Sequence, residues 1–303
     1  MKCRTRITLI VSTFLFLAVA TASFAGGGQE AGSRDGIIEV FASVAPQADI
    51  IRRIGGEHVS VGVLIGPGQD AHTFDPTPRQ IQRLGESEIF FATGLEYEFN
   101  IVNSLRRSAP GVRIVELIEG IELREIELHW VDPAAQHTHE NESGDPHIWL
   151  GFNEVRVQAR HIRDALTDAR PHLESEFERG YEEFLEYVAE IEQEAEELLG
   201  HLRGGSIMVY HPAFGYLLDH FDIRQLSIEA GGREPSPRQL RVAIEAALQA
   251  GVTIVFTQPE YDDVASRAVA RAVGARTEVV TDLGSDWPEL MRNIITAFSQ
   301  EGR

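Results

Sequence analysis

Apolar runs and amphipathic stretches alternate along the chain from Ile37 onward. The first run, IIEVFASVA, predicts a buried strand, and PQADIIRRIGG after it has the spacing of an amphipathic helix. The same alternation continues through the apolar runs VSVGVLI, EIFFATG and VRIVELI, with a helical segment between each run and the next. Short strands that alternate with helices are typical of a parallel sheet covered on both faces. We therefore predict an N-terminal α/β lobe over residues 37–170.

The alternation is interrupted by a polar loop at 129–147 and by a long helical stretch at 171–203. Apolar residues recur every three or four positions in that stretch, which predicts one continuous stripe: Leu173, Phe177, Tyr181, Phe184, Val188, Ile191, Ala195 and Leu198. About 30 residues at about 1.5 Å each make a rod of roughly 45 Å, which suits a rigid link between two lobes. A coiled-coil segment is the alternative, and Gly180 weakens it.

Strand and helix signals return over residues 204–303. The runs SIMVYH, RQLSIE, VTIVFTQP and TEVVTD predict four more strands, each followed by a helical segment. The predicted fold class is therefore α/β, with two lobes of roughly four parallel strands joined by one long helix. A ligand would bind in the cleft between the lobes, beyond the carboxyl ends of the strands.

The N-terminus has the features of an export signal. Basic residues precede the apolar run ITLIVSTFLFLAVA, and small residues around Ala25 offer a cleavage point. We predict a signal peptide at 1–25, a flexible segment at 26–36 and a periplasmic mature chain, with an uncleaved anchor as the alternative. Cys3 lies before the apolar run, so it is not placed to carry the lipid of a lipoprotein.

Charge and cysteine content limit the chemistry. The formal net charge is −20, and loss of the predicted signal peptide would make it about −23 because that segment holds three basic residues and no acidic one. Such a chain is a poor partner for nucleic acid or an anionic membrane surface. Cys3 is the single cysteine of the sequence, so a metal in the mature chain would need histidine nitrogen and carboxylate oxygen.

Four residues of the types that bind metals fall where predicted strands end. His72 follows VSVGVLI, His211 ends SIMVYH, Asp282 ends TEVVTD, and His147 closes the polar loop before a helix. Each one alone is more often a hydrogen-bonded structural residue or a helix cap. Together they predict a cleft site, and three imidazoles with one carboxylate suit tetrahedral zinc, whereas manganese prefers more carboxylate oxygen. Glu260 is the alternative fourth ligand.

Six motifs, in order, carry a resemblance to a known family. DAHTFDPTPRQ, FATGLEYE, DPHIWLG, VYHPAFGYLLDHFDI, IEAGGREPSPRQL and TDLGSDW span nearly the whole mature chain. They resemble the metal-binding solute-binding proteins of bacterial ABC uptake systems for zinc and manganese (zinc-type, cluster A-I). The resemblance implies two lobes bridged by a rigid helix, a metal held by His72, His147, His211 and Asp282, and delivery to a membrane permease.

Details within the motifs affect what the resemblance implies. Ala71 stands where the family often has proline or glutamate, so no auxiliary carboxylate is available there, and Pro212 stands where an acidic residue is frequent. His211 favours zinc, because manganese-type members tend to have glutamate at that position. We also expect Glu229 to hydrogen-bond a ligand histidine.

Zinc-type relatives often carry a mobile loop rich in histidine and acidic residues before the second ligand. Here the loop holds His129, Glu140, Glu142 and Asp145, together with His137 and His139, which could form an auxiliary metal site; a solvated loop is the alternative. Deleting 134–143 should leave tight binding intact and slow capture at low zinc, and unchanged loading kinetics would contradict the auxiliary site.

The predicted function is therefore high-affinity capture of Zn2+ outside the cytoplasm by a monomeric protein and its delivery to an ABC permease. Manganese or iron uptake is the alternative within the family. A zinc hydrolase is the alternative from another class, but HExxH, GxSxG and a Gly-rich phosphate loop are absent from the sequence. Four protein ligands would also leave no open position for a reactive water.

Overall fold

Two parallel sheets of the same topology form the framework of the computed structural model, which describes residues 36–71, 73–95, 97–126, 144–229 and 234–302. The first sheet has the order β2-β1-β3-β4 and the second has the order β6-β5-β7-β8. Every strand pairing within them is parallel. The strands are β1 (Ile38–Val44), β2 (Val59–Ile65), β3 (Ile89–Ala92), β4 (Arg113–Glu116), β5 (Ser206–Val209), β6 (Arg224–Ser227), β7 (Ile254–Thr257) and β8 (Arg276–Val279).

Helices follow the strands as the alternating pattern predicts. They are α1 (Ala45–Gly55), α2 (Pro78–Gly85), α3 (Glu98–Ser108), α4 (Phe152–Ala169), α5 (Glu174–Leu199), α6 (Gly215–His220), α7 (Pro237–Ala250), α8 (Val264–Val273) and α9 (Trp287–Phe298). Short 3₁₀ turns at Pro171–Leu173 and Gly200–Leu202 flank α5. The predicted α/β class, with two four-stranded parallel sheets and one long helix between them in the chain, is confirmed.

Helix α5 carries the apolar stripe that its sequence predicts. Phe177, Phe184, Val188 and Ile191 on this stripe are all buried, and they belong to one hydrophobic cluster that also takes in both faces of the first sheet. The cluster continues into one face of the second sheet, through residues such as Ile207 and Phe256. The opposite face of the second sheet has a separate cluster with α7 and α8. The long helix therefore shares a core with both sheets.

Capping boxes explain where two of the helices begin. Thr77 and Ser236 both form such boxes, each with a proline at the first helical position and a glutamine two residues later. Helix α6 begins at Gly215, whereas the run PAFGYLLDHF predicts a helix from Pro212. The backbone N–H of Phe214 donates instead to the side chain of Gln225 at 2.8 Å, so the residues after His211 form a turn.

No helix within the described ranges is both long enough and apolar enough to cross a membrane. The predicted signal peptide at 1–25 and most of the segment at 26–36 lie outside the described residues. The division into lobes at 37–170 and 204–303 stays a prediction; residues 37–303 cluster as one compact unit.

Candidate metal centre

His147 is held by a carboxylate two residues before it. It precedes a 3₁₀ turn at Ile148–Leu150 and is almost fully buried. Its Nδ1 lies 2.7 Å from Oδ1 of Asp145, and its backbone N–H donates to the same oxygen at 3.0 Å. This double contact fixes the ring with Nε2 directed away from Asp145.

His211 is held by residues that follow the two strands beside its own. It comes two residues after β5, and its Nδ1 contacts the carboxylate of Glu229, which follows β6 and is 1% exposed. Gln258, after β7, exchanges two hydrogen bonds with the backbone of His211, at 3.2 and 2.8 Å. Glu229 thus contacts His211, one of the predicted ligands.

The two imidazoles meet through their remaining nitrogens. Nε2 of His147 lies 3.1 Å from Nε2 of His211. When each neutral ring gives its Nδ1 hydrogen to its carboxylate, both Nε2 atoms present lone pairs, and two such lone pairs repel unless a cation lies between them. A histidine that hydrogen-bonds a carboxylate through one ring nitrogen and binds the metal through the other is the usual arrangement at a metal site.

Carboxylates lie around the same pocket. Its lining consists of Gln69, Asp70, Ala71, His147, Trp149, His211, Glu260, Tyr261, Asp282 and Leu283. Asp282 is 5% exposed, and Oε2 of Glu260 is buried without a hydrogen-bond partner. An unpaired buried carboxylate oxygen is costly, so this pocket favours a cation.

The electrostatics of the pocket agree with this view. Burial, followed by the charge of Asp282, raises the pKa of Glu260 to about 7. Burial lowers the pKa of His211, but the hydrogen bond and charge of Glu229 outweigh it and the net shift is upward. Burial raises the pKa of Asp145, and contacts with His147 and Arg124 reverse that effect and hold it below its usual range.

Two indoles fasten the segments that bear these residues. Trp149 donates through Nε1 to the backbone oxygen of Asp282 at 2.8 Å, and Trp287 donates to the backbone oxygen of Trp149 at 2.7 Å. Both tryptophans are completely buried. The turn after His147 and the loop of Asp282 are thus held to each other and to the start of α9.

The structure gathers three of the four predicted ligands, His147, His211 and Asp282, around one pocket together with the alternative ligand, Glu260. His72 lies outside the described residues, although Asp70 and Ala71 just before it line the pocket. Within the described part of the chain, no three or more His, Cys, Asp or Glu side chains already form a group able to hold a metal ion.

Sequence reasoning missed several residues that shape the pocket. Asp145 belongs to the predicted polar loop, but the sequence did not indicate that its side chain is 0% exposed and orients His147. Its position two residues before a histidine in DPH was the available signal. Trp149 lies two residues after the same motif, but nothing in the sequence indicates the partner of its indole. His137 and His139 lie outside the described residues, so the auxiliary site stays a prediction.

Comparisons with known proteins agree with the geometry. The family model of ZnuA, zinc-uptake complex component A, periplasmic, matches residues 40–301. A metal ABC transporter substrate-binding lipoprotein, ScbA of Streptococcus cristatus, is 21% identical over 280 residues, which cover 89% of this chain and 86% of the relative.

Two solved structures have the same fold. A crystal structure of ZnuA is 27% identical, with a TM-score of 0.79, and the match covers 87% of this chain and 98% of that one. A Mn-bound periplasmic metal binding protein from Candidatus Liberibacter asiaticus is 18% identical, with a TM-score of 0.74 and the same coverage. At that identity the second likeness concerns the fold alone.

Proposed function

The chain belongs to the family of zinc-uptake complex component A, periplasmic (ZnuA), and on that premise we propose that it captures Zn2+ outside the cytoplasm and delivers it to an ABC permease. The family consists of substrate-binding proteins for transport and not of enzymes. The proposed ligands are His72, His147, His211 and Asp282. Export by a cleaved signal peptide and a monomeric mature chain are parts of the same proposal.

The facing imidazoles are the observation that carries the proposal. Two nitrogens bound tetrahedrally to zinc at about 2.0–2.1 Å lie about 3.3 Å apart, and the Nε2 atoms of His147 and His211 are 3.1 Å apart. Asp282 lines the same pocket and could supply one negative charge. Four protein ligands would strip the ion of water and leave no open position for catalysis, which fits a carrier.

Manganese is the second candidate, and Glu260 is the observation that favours it. With Asp282 and Glu260 in one pocket, two carboxylates could contribute oxygens beside the imidazoles. Manganese accepts more oxygen ligands than zinc does. Imidazole nitrogens suit zinc better than manganese, so we rank manganese second.

A competition experiment tests both candidates. Residues 26–303, prepared free of metal, receive equimolar zinc, manganese and iron, and the bound metals are counted by elemental analysis. We expect one zinc per chain, and greatly weakened binding in His211→Ala but not in the control His201→Ala, whose histidine is exposed at the end of α5. One bound manganese would reverse the metal assignment, and zinc binding indifferent to His211 would overturn the site.

A further inference from the structure

Arg124 lies in the segment after β4, and its backbone and side chain both meet residues of the candidate metal centre. Its backbone oxygen accepts a hydrogen bond from the N–H of Asp145 at 2.8 Å. Its guanidinium also donates through NH1 to Oδ2 of Asp145 at 3.0 Å. The other oxygen of that carboxylate holds Nδ1 of His147. Asp145 therefore lies between Arg124 on one side and the histidine on the other.

The guanidinium extends further, to the second half of the fold. Its Nε donates to Oδ2 of Asp219 on α6 at 2.8 Å. The Arg124 side chain is 13% exposed and that of Asp145 is 0% exposed, so the pair is shielded from solvent. A planar guanidinium can bridge two carboxylates in fixed directions, which a lysine ammonium cannot do as rigidly.

Helix α6 leaves room for the guanidinium of Arg124 and also contacts Asp145. A Cβ atom on Gly215 would collide with the guanidinium of Arg124, so a residue larger than glycine would displace the guanidinium. Next to it, the hydroxyl of Tyr216 donates to the backbone oxygen of Asp145 at 2.6 Å. Helix α6 thus contacts the Arg124–Asp145 pair through Gly215, Tyr216 and Asp219.

We propose that Arg124 is a positioning residue for metal binding: it fixes the carboxylate of Asp145, and through it the ring of His147, and it links that orientation to helix α6. This inference rests on the proposed function, since His147 must be a ligand for its orientation to affect affinity. Arg124 itself contacts none of the proposed ligands that the structure describes. Residues that orient a metal ligand typically change affinity about 10- to 100-fold when they are removed.

The test is a double-mutant cycle between Arg124 and His147. Zinc affinity is measured by chelator competition for the intact chain, Arg124→Met, His147→Ala and the double variant. We expect Arg124→Met to weaken binding about tenfold in the intact chain and less than about twofold where His147 is already alanine, because no ring remains to be oriented. A merely structural role would give equal losses in both backgrounds and would overturn the proposal.

Two further variants complete the design. Arg124→Lys retains a cation and should bind zinc with an affinity between those of the parent and Arg124→Met. The matched control is Arg163→Met. Arg163, on α4, also bridges two carboxylates, those of Asp164 and Glu178. The zinc affinity of this variant should not change.

The remaining outcomes separate the two proposals. Unchanged zinc affinity in Arg124→Met would overturn the role of Arg124 and leave the proposed function standing. Unchanged affinity in His147→Ala would instead remove His147 from the proposed ligands. The absorption spectrum of bound Co2+ gives a second readout, since a tilted His147 ring should alter it in Arg124→Met but not in Arg163→Met.

Discussion

The two sheets share one strand order, yet the two halves of the fold hold their histidines in different ways. His211 follows the central strand β5, and its partners Glu229 and Gln258 follow the strands on either side. His147 follows no strand directly, and its partner Asp145 is held by Arg124 and by side chains of α6. The residues that hold His211 thus all belong to the second half of the fold, whereas those that hold His147 and Asp145 come from both halves.

The long helix contacts both halves of the fold. Helix α5 packs against α1 and α4 from the first half and against α9 from the second. Its contact with α1 is close enough for a test, because Gly180 lies directly against the backbone of α1.

Replacing Gly180 with alanine should have the largest effect. A Cβ at this position would lie 2.5 Å from the backbone oxygen of Ile54 and 2.9 Å from that of Arg53, and backbone atoms cannot rotate away as a side chain can. We expect a loss of about 3 kcal/mol in the free energy of unfolding, measured by urea denaturation. Gly200→Ala is the control, because its Cβ would meet nothing closer than 3.8 Å. Equal stabilities in the two variants would mean that α1 can move away from α5.

Trp149 offers a way to loosen the site with less damage to the fold. Phenylalanine in its place would lose the hydrogen bond to the backbone of Asp282 and leave a small void. We expect a loss of about 2 kcal/mol in stability and zinc binding about tenfold weaker, because the loop of Asp282 would no longer be tied to the turn after His147.

Trp287→Phe is the matched control for Trp149→Phe. It removes a similar buried indole bond, to the backbone of Trp149, without touching Asp282. Its stability should fall by a similar amount while zinc affinity changes by less than about threefold. Chelator competition measures the zinc affinity of both variants, and urea denaturation measures their stability. Equal losses of affinity would show that the Trp149–Asp282 hydrogen bond does not itself contribute to zinc binding.

The elements that could be predicted are those whose signals are local in sequence. Strands such as β1 are continuous apolar runs, α5 has a regular apolar stripe, and α2 and α7 begin with capping boxes, so their positions follow from the chain itself. His211 and Asp282 follow strands, which brings them to one edge of their sheet. The sequence therefore predicted the class of fold and four of the residues that line the pocket, namely His147, His211, Glu260 and Asp282.

What could not be predicted depends on partners far away in the chain. Asp145 lies in a polar segment, and its contacts with Arg124 and with Tyr216 of α6, 71 residues away, explain why it is buried. The late start of α6 has the same kind of cause, because Gln225 takes the N–H of Phe214. Local pattern carries no information on such pairings, so the first half of the site was the harder one to predict.

The smallest expected effect concerns Glu98, the first residue of α3, which we compare with Gln258 after β7. Gln258, after β7, holds His211 with a neutral amide, whereas the buried carboxylate of Glu98 accepts backbone N–H groups of Thr93, Gly94 and Leu95, after β3. Burial raises the pKa of Glu98 to about 6, although these hydrogen bonds oppose the shift. Of these two residues only Glu98 can gain or lose a proton, so only Glu98 should make the stability depend on pH.

The sign of that change follows from the raised pKa. The folded chain holds the Glu98 proton more tightly than the unfolded chain, so its contribution to stability is full below pH 4.5 and is lost as the pH rises through about 6. Relative to Glu98→Gln, the parent should lose up to about 2 kcal/mol between those two pH values, and the difference should be constant above pH 7. Urea denaturation of both chains at pH 4, 5, 6 and 7 measures it. A difference that does not vary with pH would mean that the hydrogen bonds offset the effect of burial, so that the pKa of Glu98 is the same in the folded and unfolded chains.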